Sequence, residues 1–308
     1  MVPSYNRYTN FSSVGNYKDI VDDLFYVNEN DSPIMDMGGS KEARDYIHYW
    51  EEVVYAQVTS NGYKRADGGS LSSTMTPATK TERYNYVVET AVPFDVSKRA
   101  AAIAKRRGAA GVRNAWEKAK MDADVILKDN VEYSLLQGTS TSGDGSNASE
   151  CQGLMVMAAA LGTDAYNTNI SGAETAFRTG LTTNRDAGGM KGKKKMIFTS
   201  YTNKDSIMKN WTGRATAIND MSPEKGKIYA DVEIYVSQFG PIAIMGHSMA
   251  LSTELVVFDG MDLATAWLYP TQTIELGTTN LVEGTAARAN CLTLEYERPS
   301  TLMYMTIS

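Results

Sequence analysis

GVRNAWEKAKMDADVILKDNVEYSLLQ, residues 111–137, is the stretch on which the fold turns. Val112, Trp116, Ala119, Ala123, Ile126, Val131 and Leu135 recur at steps of three, four and five and draw one apolar stripe along a helix. The spacing predicts that Trp116, Ala123 and Ile126 face the C-terminal strands. The opposite side alternates in charge, with Lys118 and Asp122, Lys120 and Asp124, Asp124 and Lys128, and Lys128 and Glu132 each four apart. At 1.5 Å per residue this rod is about 40 Å long, longer than one core of a domain this size needs. A one-sided rod of that length reads as a spine with a sheet along one side, a scaffold before a catalyst.

Working outward, residues 94–107 read as a short basic helical segment (Lys98, Arg99, Lys105, Arg106, Arg107) that stops or kinks at Gly108. Before it, residues 45–92 alternate like two long strands, Tyr46–Val54 running out and Tyr84–Val92 running back. Between them lies a Gly/Ser/Thr-rich stretch whose Asp67-Gly68-Gly69 is a turn signal. A lone two-stranded hairpin is barely stable in water, so this one needs a partner surface, in its own chain or in another. Residues 1–40 are polar, with a helical stretch at Tyr17–Tyr26 and a break at Asp31-Ser32-Pro33. They read as an arm lying on something else or as a disordered tail; Ile20, Leu24, Phe25, Ile34 and Met35 favour the arm.

From Cys151 onward the pattern becomes a compact mixed module. Helices are predicted at 174–183 and 204–211, and strands at 195–199, 228–236, 242–245 and 254–258. The C-terminal part, 264–269, 271–276 and 291–307, reads as strand broken by a Gly/Thr/Asn loop at 277–284. No internal repeat or low-complexity tract interrupts the chain.

Composition sets outer bounds. The 308 residues suffice for a large core, with 43% hydrophobic and 21% charged residues as in folded proteins. A net charge of −6 gives no global basic footprint for nucleic acid. No apolar run approaches the ~18 residues of a membrane span, and the first residues lack a signal-peptide core, so a reducing compartment is expected. Cys151 and Cys291 then read as two buried thiols.

Motifs for chemistry are scarce. Of the two histidines, His48 sits mid-strand among aromatics and reads as a packed or interface imidazole. His247 has no Cys or second His at metal-ligand spacing. A Ser-His-Asp set needs only to meet in space, but no Gly-X-Ser-X-Gly elbow favours one. The glycine- and lysine-rich run 188–195 lacks the order of a phosphate loop and leads into a strand; it reads as a solvated turn, or as an electrostatic contact to a neighbouring subunit or packaged nucleic acid. Gly143–Ala148 follows a helix and is a false dinucleotide match. No active site and no cofactor are implied.

Four stretches in this order carry a resemblance. They are Asp19–Leu24 with Asp31–Ile34, the hairpin returning through Val92–Ser97, the helix end Asp129–Gly138 leading to Cys151–Leu154, and Asp231–Gly240 with Leu255–Asp259 and Ala264–Pro270. The chain resembles the major capsid proteins of tailed bacteriophages, closest to short head proteins without a long N-terminal propeptide. The resemblance implies an α+β, HK97-like fold. Its parts would be an N-terminal arm (1–44), an extended hairpin loop (45–93), a peripheral domain with the spine helix (94–150), an axial domain (151–263), and C-terminal strands returning to the peripheral domain (264–308). It implies a structural subunit that self-assembles through pentamers and hexamers into an icosahedral head around double-stranded DNA, without reading its sequence. Portal and scaffolding proteins, and decoration proteins, are the implied partners, with no membrane; the expected place is the virion, after synthesis in the host cytoplasm. The expected inter-subunit contacts are Lys98, Arg99, Lys105, Arg106, Arg107, Gly68, Gly69, Tyr46, Trp50 and Ile34. Relatives often carry a basic residue where this chain has Tyr269, and no crosslinking residues are assigned. The alternatives are an encapsulin-like nanocompartment shell, which would need a cargo groove, and a metal-free hydrolase, which would need a pocket of convergent polar groups.

Overall fold

The spine helix runs from Ala115 to Gln137 (α2 below). Its buried row is Ala123, Leu127, Val131 and Leu135, a straight i, i+4 line, with Leu136 beside it. Ile126, expected on this face, is 51% exposed, whereas Leu127 is 2% exposed. The two are adjacent and both aliphatic, and only Leu127 keeps the four-residue step from Ala123 to Val131. Trp116 packs on Phe94 with ring centroids 4.9 Å apart, in one small core with Ala286 of the C-terminal strands, so that part of the expected face holds. The helix stops at Gly138, whose N–H donates to the Ser134 carbonyl at 3.0 Å. A Cβ there would lie 2.1 Å from the Cys151 carbonyl oxygen, so only glycine lets the returning chain pass so close.

The computed structural model describes residues 32–54, 67, 78–98, 115–144, 146–164, 169, 173–189, 191–192, 194–211, 214–215, 233–277 and 282–307. Before the spine come a short helix α1 (Pro33–Met37) and strands β1 (Gly39–Glu42), β2 (Ile47–Val54), β3 (Thr79–Tyr86) and β4 (Val88–Ser97). After it follow β5 (Thr139–Thr141), β6 (Glu150–Gln152), α3 (Leu154–Leu161), β7 (Thr163–Asp164), α4 (Glu174–Asp186), β8 (Lys195–Thr199), α5 (Tyr201–Asn210) and β9 (Arg214–Ala215). The chain closes with β10 (Glu233–Ser237), β11 (Gly240–Gly246), β12 (Glu254–Asp259), β13 (Leu263–Leu276), β14 (Val282–Tyr296) and β15 (Met303–Thr306).

Two sheets organise these elements. A four-stranded sheet has the order β1-β13-β14-β4, with β1 parallel to β13 and the other pairs antiparallel. The spine lies along β4 and β14, where Phe94, Ala123 and Ala286 form a small core with Trp116. A seven-stranded sheet has the order β7-β15-β12-β8-β11-β10-β9. Its central strands β8 and β12 are buried on both faces, which is why they read as continuous apolar runs. Ile197, Leu255 and Val257 face α4 and α5, packing with Phe177, Leu181, Ile207 and Trp211. Phe198, Val256 and Phe258 face α3 and the C-terminal half of the spine, joining Val131, Leu135, Leu154 and Met155. That second cluster also takes in Leu292 and Leu294 of the four-stranded sheet, so one core serves both sheets.

Four readings change. Tyr84–Val92 is not one returning strand: β3 ends at Tyr86, and Val87, whose N–H donates to the Tyr46 carbonyl at 3.0 Å, redirects the chain into β4. Phe94–Ser97, expected as helix, continues β4, because Phe94 and Val96 are buried on alternate positions against the spine. Residues 291–307 are two strands in different sheets. β14 ends at Tyr296, a 3₁₀ turn at Pro299–Thr301 follows, and β15 pairs with β12. The helix α3 was not anticipated; its LMVMAAAL sequence is apolar on all sides and shows no amphipathic period.

Candidate assembly surfaces

The β2–β3 hairpin has two unlike faces, and register decides which residues share one. Tyr49 pairs with Tyr84 and Val53 with Lys80 on the outer face; His48 pairs with Asn85, Trp50 with Arg83 and Glu52 with Thr81 on the inner face.

The inner face is pinned to the chain's own body by a polar network. Asn85 is fully buried. Its Nδ2 donates to the carbonyls of Leu294 (2.8 Å) and Gln152 (3.1 Å), and its Oδ1 accepts from the N–H groups of Gln152 (2.6 Å) and Tyr86 (2.9 Å). His48 Nε2 lies 2.8 Å from Glu295, which also takes the Lys41 ammonium at 2.7 Å. Burial works to raise the Glu295 carboxyl, but the hydrogen bonds and charges of His48 and Lys41 outweigh it and hold it below the ordinary range. Glu52, buried, accepts from Arg83 at 2.7 and 2.9 Å and from the Ser300 N–H at 3.2 Å and the Ser300 hydroxyl. Because a buried polar group without a partner costs about 1–3 kcal/mol, these contacts fix the hairpin's root in one place.

The outer face looks away from the body. Tyr49 (54% exposed) and Tyr84 (51%) stack across the strands at 6.0 Å, Tyr84 meets Tyr86 edge-on at 5.7 Å, and Tyr46 meets Tyr86 at 5.9 Å. Val53 extends the patch, whereas Val54, also exposed, is on the opposite side by strand alternation. Cross-strand aromatic pairs stabilise a hairpin, but four tyrosines and a valine on this side are more apolar surface than a monomer needs to show. The second long projection is β13–β14, whose residues Leu268, Ile274 and Leu276 are exposed. Arg288 ties it to the spine through Asp124 at 2.5 Å, and the Tyr269 hydroxyl donates to Glu89 at 2.6 Å. Tyr269 thus makes a polar contact of its own.

Of the expected contact residues, Tyr46 lies at the edge of the outer patch, its hydroxyl accepting from the Gly143 N–H at 2.5 Å. Trp50 is on the inner face, packed against the chain's own core. Ile34 is fully buried in that core and has no surface left to offer a neighbour. Lys98 is exposed at the end of β4. Arg99, Lys105, Arg106, Arg107, Gly68, Gly69 and the helical stretch Tyr17–Tyr26 lie outside the described residues. Sequence reading missed Asn85, Glu52, Glu295 and Glu132; Asn85 carried a signal, a lone amide in the aromatic run Tyr84-Asn85-Tyr86. Cys151 and Cys291 are free and buried, as expected. Among the described residues no three His, Cys, Asp or Glu side chains gather as a metal site, and no helix is long and apolar enough to cross a membrane.

Residues 5–306 match the family model described as SU10 major capsid protein. The chain belongs to that family. A chain of the "Cyanophage A-1(L) capsid asymmetric unit" superposes with a TM-score of 0.69 at 14% identity, covering 96% of this chain and 98% of that one. "The capsid of Myoviridae Phage XM1" gives 0.59 at 8%, covering 96% and 99%. A looser likeness, 0.50 at 8% over 88% and 90%, is to the "virus-like particle from Pyrococcus furiosus". At such identities these neighbours speak to the fold, which is the HK97-like fold of phage capsids. No characterised protein sequence matches the chain. As a member of the SU10 major capsid protein family the chain is a structural protein of the virion, and copies of it assemble into the capsid shell. The nanocompartment alternative has no better support than this.

Proposed function

We propose that the outer face of the β2–β3 hairpin is the surface by which each copy grips its neighbour in the shell. The observation that carries this reading is the division of the hairpin: its inner face is fixed on its own body through Asn85, Glu52 and His48, and its outer face carries exposed Tyr49, Tyr84 and Val53. A rigidly held apolar patch loses little conformational freedom when covered, which favours repeated contact between identical copies. In this reading residues 1–44 are the arm and 45–93 the extended loop. Residues 94–150 are the peripheral part with the spine, and 151–263 the axial part. Residues 264–308 return through β13 and β14 to the four-stranded sheet and through β15 to the seven-stranded one. Pentamers and hexamers of these copies close an icosahedral head.

The basic group Lys98, Arg99, Lys105, Arg106 and Arg107 pairs with acidic residues of an adjacent copy, fixing register more than adding affinity. The head encloses double-stranded DNA without reading it, in keeping with a net charge of −6. Portal, scaffolding and decoration proteins meet the assembled shell, synthesis is in the host cytoplasm, and the subunit performs no catalysis.

The test is Tyr49→Ser with Tyr84→Ser. Both side chains are about half exposed, so the subunit should remain folded by circular dichroism. Assembly followed by light scattering should need a several-fold higher protein concentration. Assembly at the wild-type concentration would overturn the reading.

A further inference from the structure

Glu132 sits on the spine helix with its side chain fully buried, yet the sequence places it among surface charge pairs. Its two carboxyl oxygens reach across to the segment where the described chain begins. Oε1 accepts the Ile34 N–H at 2.8 Å and Oε2 the Met35 N–H at 3.2 Å. These are N–H groups of the first turn of α1, which have no partner within the helix. Ser32 stands at the N-cap but makes no side-chain cap there, so a residue nearly a hundred positions away does that work.

The charges around this contact matter. Asp36, on α1 itself, is the charged neighbour that acts on Glu132, and its sign is the same. On the spine, Lys128 is exposed and Asp129 half-buried. The apolar α3 brings no ionisable side chain. From the other elements packed on the spine, Arg288 is engaged with Asp124, Glu89 with Tyr269, Glu150 with Thr139, and Glu295 with Lys41 and His48; Asp95 is exposed. Burial and the nearby Asp36 charge favour the protonated form of this carboxyl, against the two N–H groups, which favour the ionised one.

We propose that Glu132 is a proton-sensitive clasp that holds α1 and β1 on the spine helix, tight when the carboxyl is protonated and loosened when it ionises. Burial, helped by the Asp36 charge, raises the group to about 7 against the downward pull of the Ile34 and Met35 N–H groups. The sign follows from linkage. With α1 lifted away, Glu132 would meet water and titrate as an ordinary glutamate, so between the two values the closed form holds a proton that the open form has lost. Raising the pH through this window therefore favours opening, by at most about tenfold per pH unit, with a plateau above neutrality. Acid tightens the clasp. The hairpin's root, held through Asn85, stays in place, so the device acts on the segment ahead of it alone.

Hydrogen exchange of the full-length protein from pH 5 to 8.5 tests this, with rates corrected for intrinsic base catalysis and referred to the β12 amides. In the wild type, protection of residues 34–42 should fall roughly tenfold or more between pH 5 and 7 and then level off. In Glu132→Gln, which removes the titration, protection of these residues should not change with pH. In Asp36→Asn, which leaves the clasp in place, the plateau should begin at lower pH. Flat wild-type protection across this range overturns the proposal, as does an unchanged slope in Glu132→Gln. An Asp36→Asn profile superposing on the wild type overturns the assigned charge coupling, even if the Gln variant does not fold.

Discussion

Asn85→Ala should open the hairpin without unfolding the subunit. The Asn85 side chain is fully buried and joins three elements: β3, which carries it, the Gln152 backbone of β6 and the Leu294 carbonyl of β14. Truncation leaves the Gln152 N–H and the Leu294 carbonyl without this partner, each costing about 1–3 kcal/mol if water does not reach it. The bond to the Leu294 carbonyl is buried and the other three are part-buried, where water can replace some of them, so a total of about 3 kcal/mol is expected. That is roughly a hundredfold in the equilibrium for lifting the hairpin. Hydrogen exchange should show β2 and β3 losing protection by that factor, while Leu255–Phe258 in the seven-stranded sheet exchange as in the wild type. Equal loss in both sheets would mean that the hairpin and body unfold as one unit. No loss in either would mean that Asn85 does not pin the hairpin, and either result refutes the reasoning.

Other expectations follow from burial and charge. Ile126→Asp should leave the subunit folded, within about 0.5 kcal/mol of wild type, whereas Leu127→Ala should cost about 2–5 kcal/mol in denaturant unfolding. Gly138→Ala should sharply lower soluble yield or the unfolding midpoint, since its Cβ would meet the Cys151 carbonyl. Glu295 has a depressed carboxyl, so its contribution is full above the ordinary glutamate range and lost as pH falls through and below it. Acid titration should therefore release the hairpin's root, and His48→Gln should weaken that acid dependence.

The sequence was most readable where burial dictated it on both sides. Strands β8, β11 and β12 and helices α4 and α5 emerge at nearly the expected places, because apolar runs and amphipathic periods have few other uses. The spine was legible as a helix but not in its phase: Ile126 and Leu127 are adjacent aliphatics, and only a strict four-residue step separates them. Strand β1, Gly-Ser-Lys-Glu, is exposed throughout and exists through its pairing with β13, which no local pattern encodes. The break at Val87 likewise depends on a hydrogen bond to Tyr46 and on β14 receiving β4.

Surfaces were harder to read than cores. Trp50 and Ile34 looked like contacts because they are large and apolar on a hairpin and an arm with no core of their own, but the chain covers both itself. Tyr49, one position from Trp50, carries the outward patch instead, and the difference is one step of strand alternation. Glu132 looked like a surface charge because its neighbours in sequence are charged; its burial comes from α1, which folds onto the spine.

The measurement closest to the central claim is a cryo-electron microscopy reconstruction of particles assembled from the purified full-length chain. The account predicts closed shells in which Tyr49, Tyr84 and Val53 of each copy are covered by an adjacent copy, while Asn85 keeps its bonds to Gln152 and Leu294 of its own chain. Shells in which those tyrosines face solvent would contradict it.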